Sequence, residues 1–231
     1  MRPVVEAQVW QQKKTVALAR WLLGKFLVRR FPDGREDARM IVETEAYHGE
    51  DDQACHARAG RTGRTDVMYG PGGVWYVYLC YGIHEMLNLV VGPEHFPAAI
   101  LIRGVEGAVG PGRVTKTLAI DRRLNRAPAT DDRRGLWLED RGVRVPARLV
   151  QATPRIGVDY AGPIWSRKHW RFTFDPRALP PLRRPRRPAK AHADPDRAGS
   201  RERWEPVAPT SPLPSDQTGA RMAHRSPRRG D

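Results

Sequence analysis

Met40-Ile-Val-Glu-Thr-Glu-Ala-Tyr47 opens on three apolar residues and closes on two carboxylates and a tyrosine. Read as a strand with period two, it places Glu43 and Glu45 on one side and Thr44 on the other. About thirty residues later, Val74-Trp-Tyr-Val-Tyr-Leu-Cys-Tyr-Gly82 packs a tryptophan and three tyrosines into a second strand ending in a Tyr-Gly turn. Tyr76 and Tyr78 share one face of that strand, and Val77 and Leu79 share the other.

Outward from these stretches the chain alternates helix, strand and turn. Val16-Ala-Leu-Ala-Arg-Trp-Leu-Leu-Gly24 has helical spacing and a glycine where a C-terminal cap belongs. Phe26–Phe31 reads as a strand, Pro32-Asp-Gly34 as a hairpin turn, and the return strand as running from about Ala38 to Glu45. Asp51 to Met68 is polar, basic and glycine-containing, the signature of a long functional loop with room for a short helix. Val74–Cys80 and His84–Val91 form a second hairpin, with Tyr81-Gly82 at its tip. Ala98–Arg103 is apolar enough for a central strand. Gly110-Pro-Gly-Arg113 opens a helix through about Ile120, whose free N–H groups are suited to a phosphate. Asp121–Arg134 is loop, short strands are expected near Leu136–Leu138 and across Val143–Ala152, and Arg155–Gly162 and Trp170–Phe174 close the domain.

Composition narrows the class. The chain has 231 residues, room for one domain with a substantial core. Its formal net charge of +14 points to nucleic acid, while an anionic membrane or simple solubility answers to the same charge. Cys55 and Cys80 are the only cysteines, which excludes an iron–sulfur cluster and a zinc ribbon on ligand count. His56 and His84 lack ligand spacing, so no metal is expected. Reduced thiols, no signal segment and no membrane-length apolar run predict a soluble cytoplasmic protein, nucleoid-associated if bacterial. After about Pro176 the chain turns proline- and arginine-rich. We expect a domain over residues 1–176 and a disordered basic tail over 177–231, either dispensable or DNA-tethering.

The chemistry lies in the pairing of acid and aromatic residues. Glu43 and Glu45 are either exposed strand-edge charges or, in the company of Tyr47, His56 and the tyrosine hairpin, the source of a general base acting at a sugar C1′. Tyr76 and Tyr78 suit core packing and base stacking equally. Tyr81, in a turn, has little core to enter and is either a stray surface aromatic or a wedge between base steps. Together these residues describe a chain that binds a polyanion and works on a flat ring.

The same residues closely resemble a known family, the alkyladenine (3-methyladenine, methylpurine) DNA glycosylases. The ordered similarity runs through Val16–Lys25, Glu43-Thr-Glu-Ala-Tyr47, Asp51-Asp-Gln-Ala-Cys-His56 and Tyr76–Gly82. It continues through Asn88, Leu101-Ile-Arg103, Gly110–Arg113 and Thr153-Pro-Arg-Ile-Gly157 to Trp170-Arg-Phe172. The resemblance implies a mixed α/β (α+β) single domain around a curved antiparallel sheet, with a protruding hairpin that enters the minor groove. It implies a monomeric, cofactor-free and metal-free glycosylase acting on damaged purines in double-stranded DNA, with no membrane partner. Glu45 matches the family's general base and Arg103 an arginine near the attacking water. Tyr47, His56 and Tyr78 match the residues around the flipped base, Asn88 an asparagine that disfavours guanine, and Tyr81 the intercalating tyrosine. Arg113 stands where a lysine is common, which keeps a phosphate contact with Gly110 and Gly112 in principle. The tail has no counterpart in the family.

Two other classes stay open. One is a non-catalytic damaged-DNA-binding protein using the same basic face and wedge. The other is a bifunctional glycosylase/lyase, which needs an amine nucleophile; Lys13, Lys14, Lys25, Lys116 and Lys168 all lie outside the pocket motifs.

Overall fold

The structure is a computed structural model that describes residues 3–179, all within one compact unit. Its centre is a nine-stranded antiparallel sheet. The strands are β1 (Phe26–Arg30), β2 (Glu36–His48), β3 (Trp75–Cys80), β4 (His84–Val91), β5 (Ala98–Val105), β6 (Ala108–Val109), β7 (Leu136–Glu139), β8 (Gln151–Thr153) and β9 (Arg171–Thr173). The main path runs β3-β4-β5-β2-β1-β7, with β6 beside β5, β9 beside β2 and β8 beside β9. Among the described residues three short α-helices accompany it: α1 (Thr15–Trp21), α2 (Pro111–Thr117) and α3 (Gly162–Ser166).

The alternation of β3 sorts its side chains between two apolar clusters. Trp75 and Val77 enter the main core, where Leu87, Leu89, Ile100 and Ile102 meet Leu18 and Leu22 from the α1 end and Val114 and Leu118 from the α2 end. Tyr76 belongs to a smaller cluster with Val90, Ala99, Cys55, Val67 and Met68, and Tyr47 and Tyr78 pack against it. The segment between β2 and β3 supplies Cys55, Val67 and Met68 and contains two single 3₁₀ turns, His56–Ala59 and Asp66–Tyr69. The long loop expected here, with room for a short helix, thus holds two such turns and packs its apolar residues on one sheet face.

Three boundaries differ from the sequence reading. β2 is longer than Ala38–Glu45, because Glu36 still pairs with Arg30 at one end and His48 with Ala98 at the other. α2 stops at Thr117 instead of Ile120. Ala119 adopts φ 47°, a left-handed turn that drops the buried Ile120 into the core without a further helical turn. Val143–Ala152 is not a strand: Pro146 lacks an N–H, Ala147–Leu149 forms a 3₁₀ turn, and only Gln151–Thr153 pairs, with β9. Of the expected tail, residues 177–179 continue a short turn that starts at Pro176, and residues 180–231 lie outside the described residues. Among the described residues, no helix is long and apolar enough to cross a membrane.

Candidate active site

A cavity of about 570 Å³ opens on the sheet face that carries the tyrosines. Glu45, Tyr47, His56, Tyr78, Tyr81, Asn88 and Arg103 all border it. Four strands, β2, β3, β4 and β5, with the 3₁₀ turn at His56 and the hairpin turn at Tyr81, bring these side chains to one place. Their pairing puts Glu45 beside Leu101, and Leu101 beside Asn88, so β2, β5 and β4 offer their side chains in one row.

Glu45 is fully buried. Its Oε1 accepts the Ile156 backbone N–H at 2.9 Å and lies 3.6 Å from Arg103 Nε, and its Oε2 accepts the Tyr47 hydroxyl at 2.9 Å. Burial pushes the carboxyl above its ordinary range, while Arg103, the Ile156 N–H and the Tyr47 hydroxyl pull it back. Such a carboxylate is held in place and is hungry for a proton. Tyr47 itself is pushed well up by burial and by the Glu45 charge, so it stays a donor.

The aromatic walls follow from strand alternation. Tyr76 and Tyr78 lie two residues apart on β3 with ring centroids 5.1 Å apart. The His56 ring meets Tyr78 edge-on at 4.7 Å, and its Nδ1 lies 3.1 Å from the Tyr76 hydroxyl. Burial, with Arg64 and Arg58 nearby, lowers His56 to about 4, which leaves it neutral at neutral pH. Arg64 sits 4.7 Å over the Tyr78 ring, and Arg58 sits 4.8 Å over Tyr160 at the cavity edge. Cys55, buried at the back of the site, is pushed up to about 12 and is an inert thiol. Asn88 is buried, and its amide donates to the Tyr76 and Met86 carbonyls at 3.3 and 3.4 Å. Tyr81 is 91% exposed at the hairpin turn with φ 50°.

Gly110, Gly112 and Arg113 are not in this cavity. They border a neighbouring groove with His84, Lys116 and Arg171, which shares Arg103, Met86, Pro111 and Ile156 with the cavity. Gly112 is glycine for space, since a Cβ there would come within 2.9 Å of His84 Nδ1. The Arg113 guanidinium turns back to the Val109 carbonyl at 3.3 Å.

Sequence reasoning missed the support behind Tyr47. Arg155 and Asp52 are fully buried and form a two-pronged ion pair at 2.6 and 2.9 Å. Arg155 also donates to the Ala46 carbonyl at 2.8 Å and lies 4.8 Å over the Tyr47 ring. Asp52 accepts the backbone N–H groups of His48 and Ala54. The signal was present in Asp51–His56 and Thr153–Gly157, where Asp52 and Arg155 carried no role until the fold joined them. No lysine borders the cavity among the described residues, and no trio of His, Cys, Asp or Glu there is grouped to hold a metal.

Comparison with known proteins places the chain among relatives of one kind. The sequence model for the methylpurine-DNA glycosylase family matches residues 9–109 and 106–178. A protein of Anaeromyxobacter dehalogenans (strain 2CP-C) named "Putative 3-methyladenine DNA glycosylase" is 45% identical over 177 residues, covering 72% of this chain and 82% of its own. Proteins with the same name from Psychrobacter cryohalolentis and Methanocella arvoryzae are 44% and 45% identical over 194 and 180 residues. They cover 71% and 69% of this chain, and 88% and 87% of their own lengths.

Proposed function

The chain belongs to the methylpurine-DNA glycosylase family, and from that premise we propose that it is a base-excision-repair enzyme releasing alkylated purines from duplex DNA. The observation that carries this reading is Glu45, a buried carboxylate held by Arg103, Ile156 and Tyr47 at the wall of an aromatic cavity. Glu45 takes a proton from a water that adds to C1′ of the flipped nucleotide, and the N-glycosidic electron pair leaves with the base. An abasic site remains. Arg103 steadies the carboxylate and the water beside it.

The base lies between Tyr47 on one side and Tyr78 with His56 on the other. 3-Methyladenine and 7-methylguanine are cationic, so electron-rich rings hold them and each leaves as a neutral base. A neutral His56 spares that cation a repelling charge at close range. Hypoxanthine is neutral, needs a proton on its leaving nitrogen as well, and is released more slowly. Asn88 crowds the exocyclic amine of an undamaged guanine. Tyr81, at the tip of the β3–β4 hairpin, enters the minor groove and fills the vacated stack. Gly110, Gly112 and Arg113 meet a phosphate along the neighbouring groove. That no lysine borders the cavity among the described residues favours hydrolysis over a lyase step. The family match ends at residue 178, which suits a glycosylase domain over 1–176 and a separate tail.

The test is single-turnover release of 3-methyladenine from methylated duplex DNA, wild type against Glu45→Gln at equal DNA occupancy. The expected result is release by the wild type and a loss of about a hundredfold or more in the variant. Tight DNA binding without release by either protein would instead leave a non-catalytic damage-binding protein, and a borohydride-trapped adduct would leave a lyase.

A further inference from the structure

Glu43 is the second carboxylate of the Glu43-Thr-Glu45 run, and the proposed reaction makes no use of it. It is almost as buried as Glu45, at 3% exposure. Strand pairing shows how it got there. Between Ile41 and Thr44 the β2–β5 register slips twice: Val42 is an extra residue on β2, and Arg103 is an extra residue on β5. Bulges re-aim side chains, and this pair of slips brings Glu43 and Arg103 to the same spot. Gly104, the partner of Glu43, leaves the room needed: a Cβ there would lie 2.9 Å from Glu43 Cβ and 3.2 Å from its Oε2.

Arg103 Nε is 3.0 Å from Glu43 Oε1 but 3.6 Å from Glu45 Oε1. Arg171 Nε donates to the same Glu43 oxygen at 2.6 Å, and its Nη1 donates to Thr153 Oγ1 at 3.0 Å. Glu43 and Arg171 border the neighbouring groove, Glu45 borders the cavity, and Arg103 borders both. We infer that Glu43 is a positioning residue that holds Arg103 off the Glu45 carboxylate, so that Glu45 keeps the lone pair and the basicity it needs to take a proton from water. The inference rests on the reading of Glu45 as the base.

The charges nearby make the argument specific. β2 contributes Glu43 and Tyr47, β5 Arg103, and β9 Arg171. The segment after β8 contributes Arg155 and the Ile156 N–H, with Arg155 already matched by Asp52. β3 contributes Tyr78, beyond Tyr47. Two carboxylates thus face two guanidiniums, Arg103 and Arg171. Without the Glu43 charge, two cations face Glu45 alone, and the planar Arg103 fork is free to close on it. Glu45 then holds its proton less readily and its lone pair is occupied.

The experiment is the pH dependence of single-turnover 3-methyladenine release by the full chain, for wild type, Glu43→Gln, Glu43→Asp and Arg171→Gln. Affinity for duplex containing an abasic analogue is measured alongside. Glu43→Gln is expected to release base about tenfold more slowly at its plateau, with the acid limb about one pH unit lower. Glu43→Asp, which keeps the charge, returns the limb toward wild type. Arg171→Gln leaves Glu43 less neutralised, so its limb moves the other way, to higher pH. Analogue affinity stays within about twofold for the two Glu43 variants, which act through Glu45 rather than on DNA. Arg171 borders the groove proposed for a phosphate, so its variant is read at saturating enzyme, where only the position of the limb counts.

A merely structural Glu43 lowers the active fraction without moving the limb, and that outcome overturns the inference. So does a shift of Glu43→Gln and Arg171→Gln in the same direction. If Glu43→Gln does not fold, Arg171→Gln decides alone: a limb at higher pH supports the inference, and an unmoved or lower one overturns it. An inactive Glu45→Gln beside an unmoved limb leaves the base standing and removes only the role of Glu43. A fully active Glu45→Gln removes both.

Discussion

Burial moves the protons of this pocket before any substrate arrives. Glu45 is raised and His56 is lowered to about 4, both chiefly because the charged form loses its water. For His56 this is also a statement about stability. An unfolded histidine titrates near ~6.5, so as pH falls below that value the unfolded chain gains a proton that the folded chain refuses until about 4. Stability carried by neutral His56 is therefore intact at pH 7 and declines by about 2 kcal/mol by pH 5. Urea denaturation at the two pH values measures it. His56→Phe, which has no proton to take up, should lose correspondingly less between them, and an equal loss in both proteins would place the sensitive group elsewhere.

At the scale of the element, the β3–β4 hairpin separates stability from the proposed function. Its strands are held by six paired positions from Trp75–Leu89 to Cys80–His84. Its turn instead carries Tyr81 in a left-handed conformation, with the ring in solvent. A tyrosine there costs about 1–2 kcal/mol relative to the right-handed region, and the exposed ring recovers little of it within the fold. Tyr81→Gly should accordingly keep or raise the melting temperature. It should also slow release from fully paired DNA about tenfold or more, with a smaller effect where the lesion sits opposite a mismatch and flipping is cheaper. Calorimetry and single-turnover release on the two duplexes check both halves. A variant that melts early or that processes both duplexes normally would deny Tyr81 a wedge role.

Across the whole molecule, Arg155 and Asp52 join parts of the chain 103 residues apart. Between them they bind the Ala46 and Trp165 carbonyls and the His48 and Ala54 N–H groups. The Ile156 N–H that holds Glu45 is the very next residue along the chain. Arg155→Met strands the Asp52 charge in the interior and should cost about 3–5 kcal/mol by equilibrium denaturation. Adding Asp52→Asn should recover part of that loss, since an amide is cheaper to bury than an unpaired carboxylate. If the single variant is as stable as wild type, the pair does not anchor this side of the cavity.

What the sequence determined by itself was local. Period-two alternation placed Tyr76 and Tyr78 on one face and Val77 on the other, the Pro32–Gly34 and Tyr81–Gly82 turns marked both hairpins, and ordered motifs pointed to the family. Most helices and strands follow from such short-range preferences, and the failures at Ile120 and Val143–Ala152 arose where core packing or a proline overrode them. The tertiary structure alone decided which charges meet. Glu45 as a buried acid rather than an edge charge, the double register slip that sets Glu43 against Arg103, and the Asp52–Arg155 pair all depend on residues far apart in the chain. Alternation tells which way a side chain points from its own strand. Desolvation and ion pairing depend on what the rest of the fold puts in front of it.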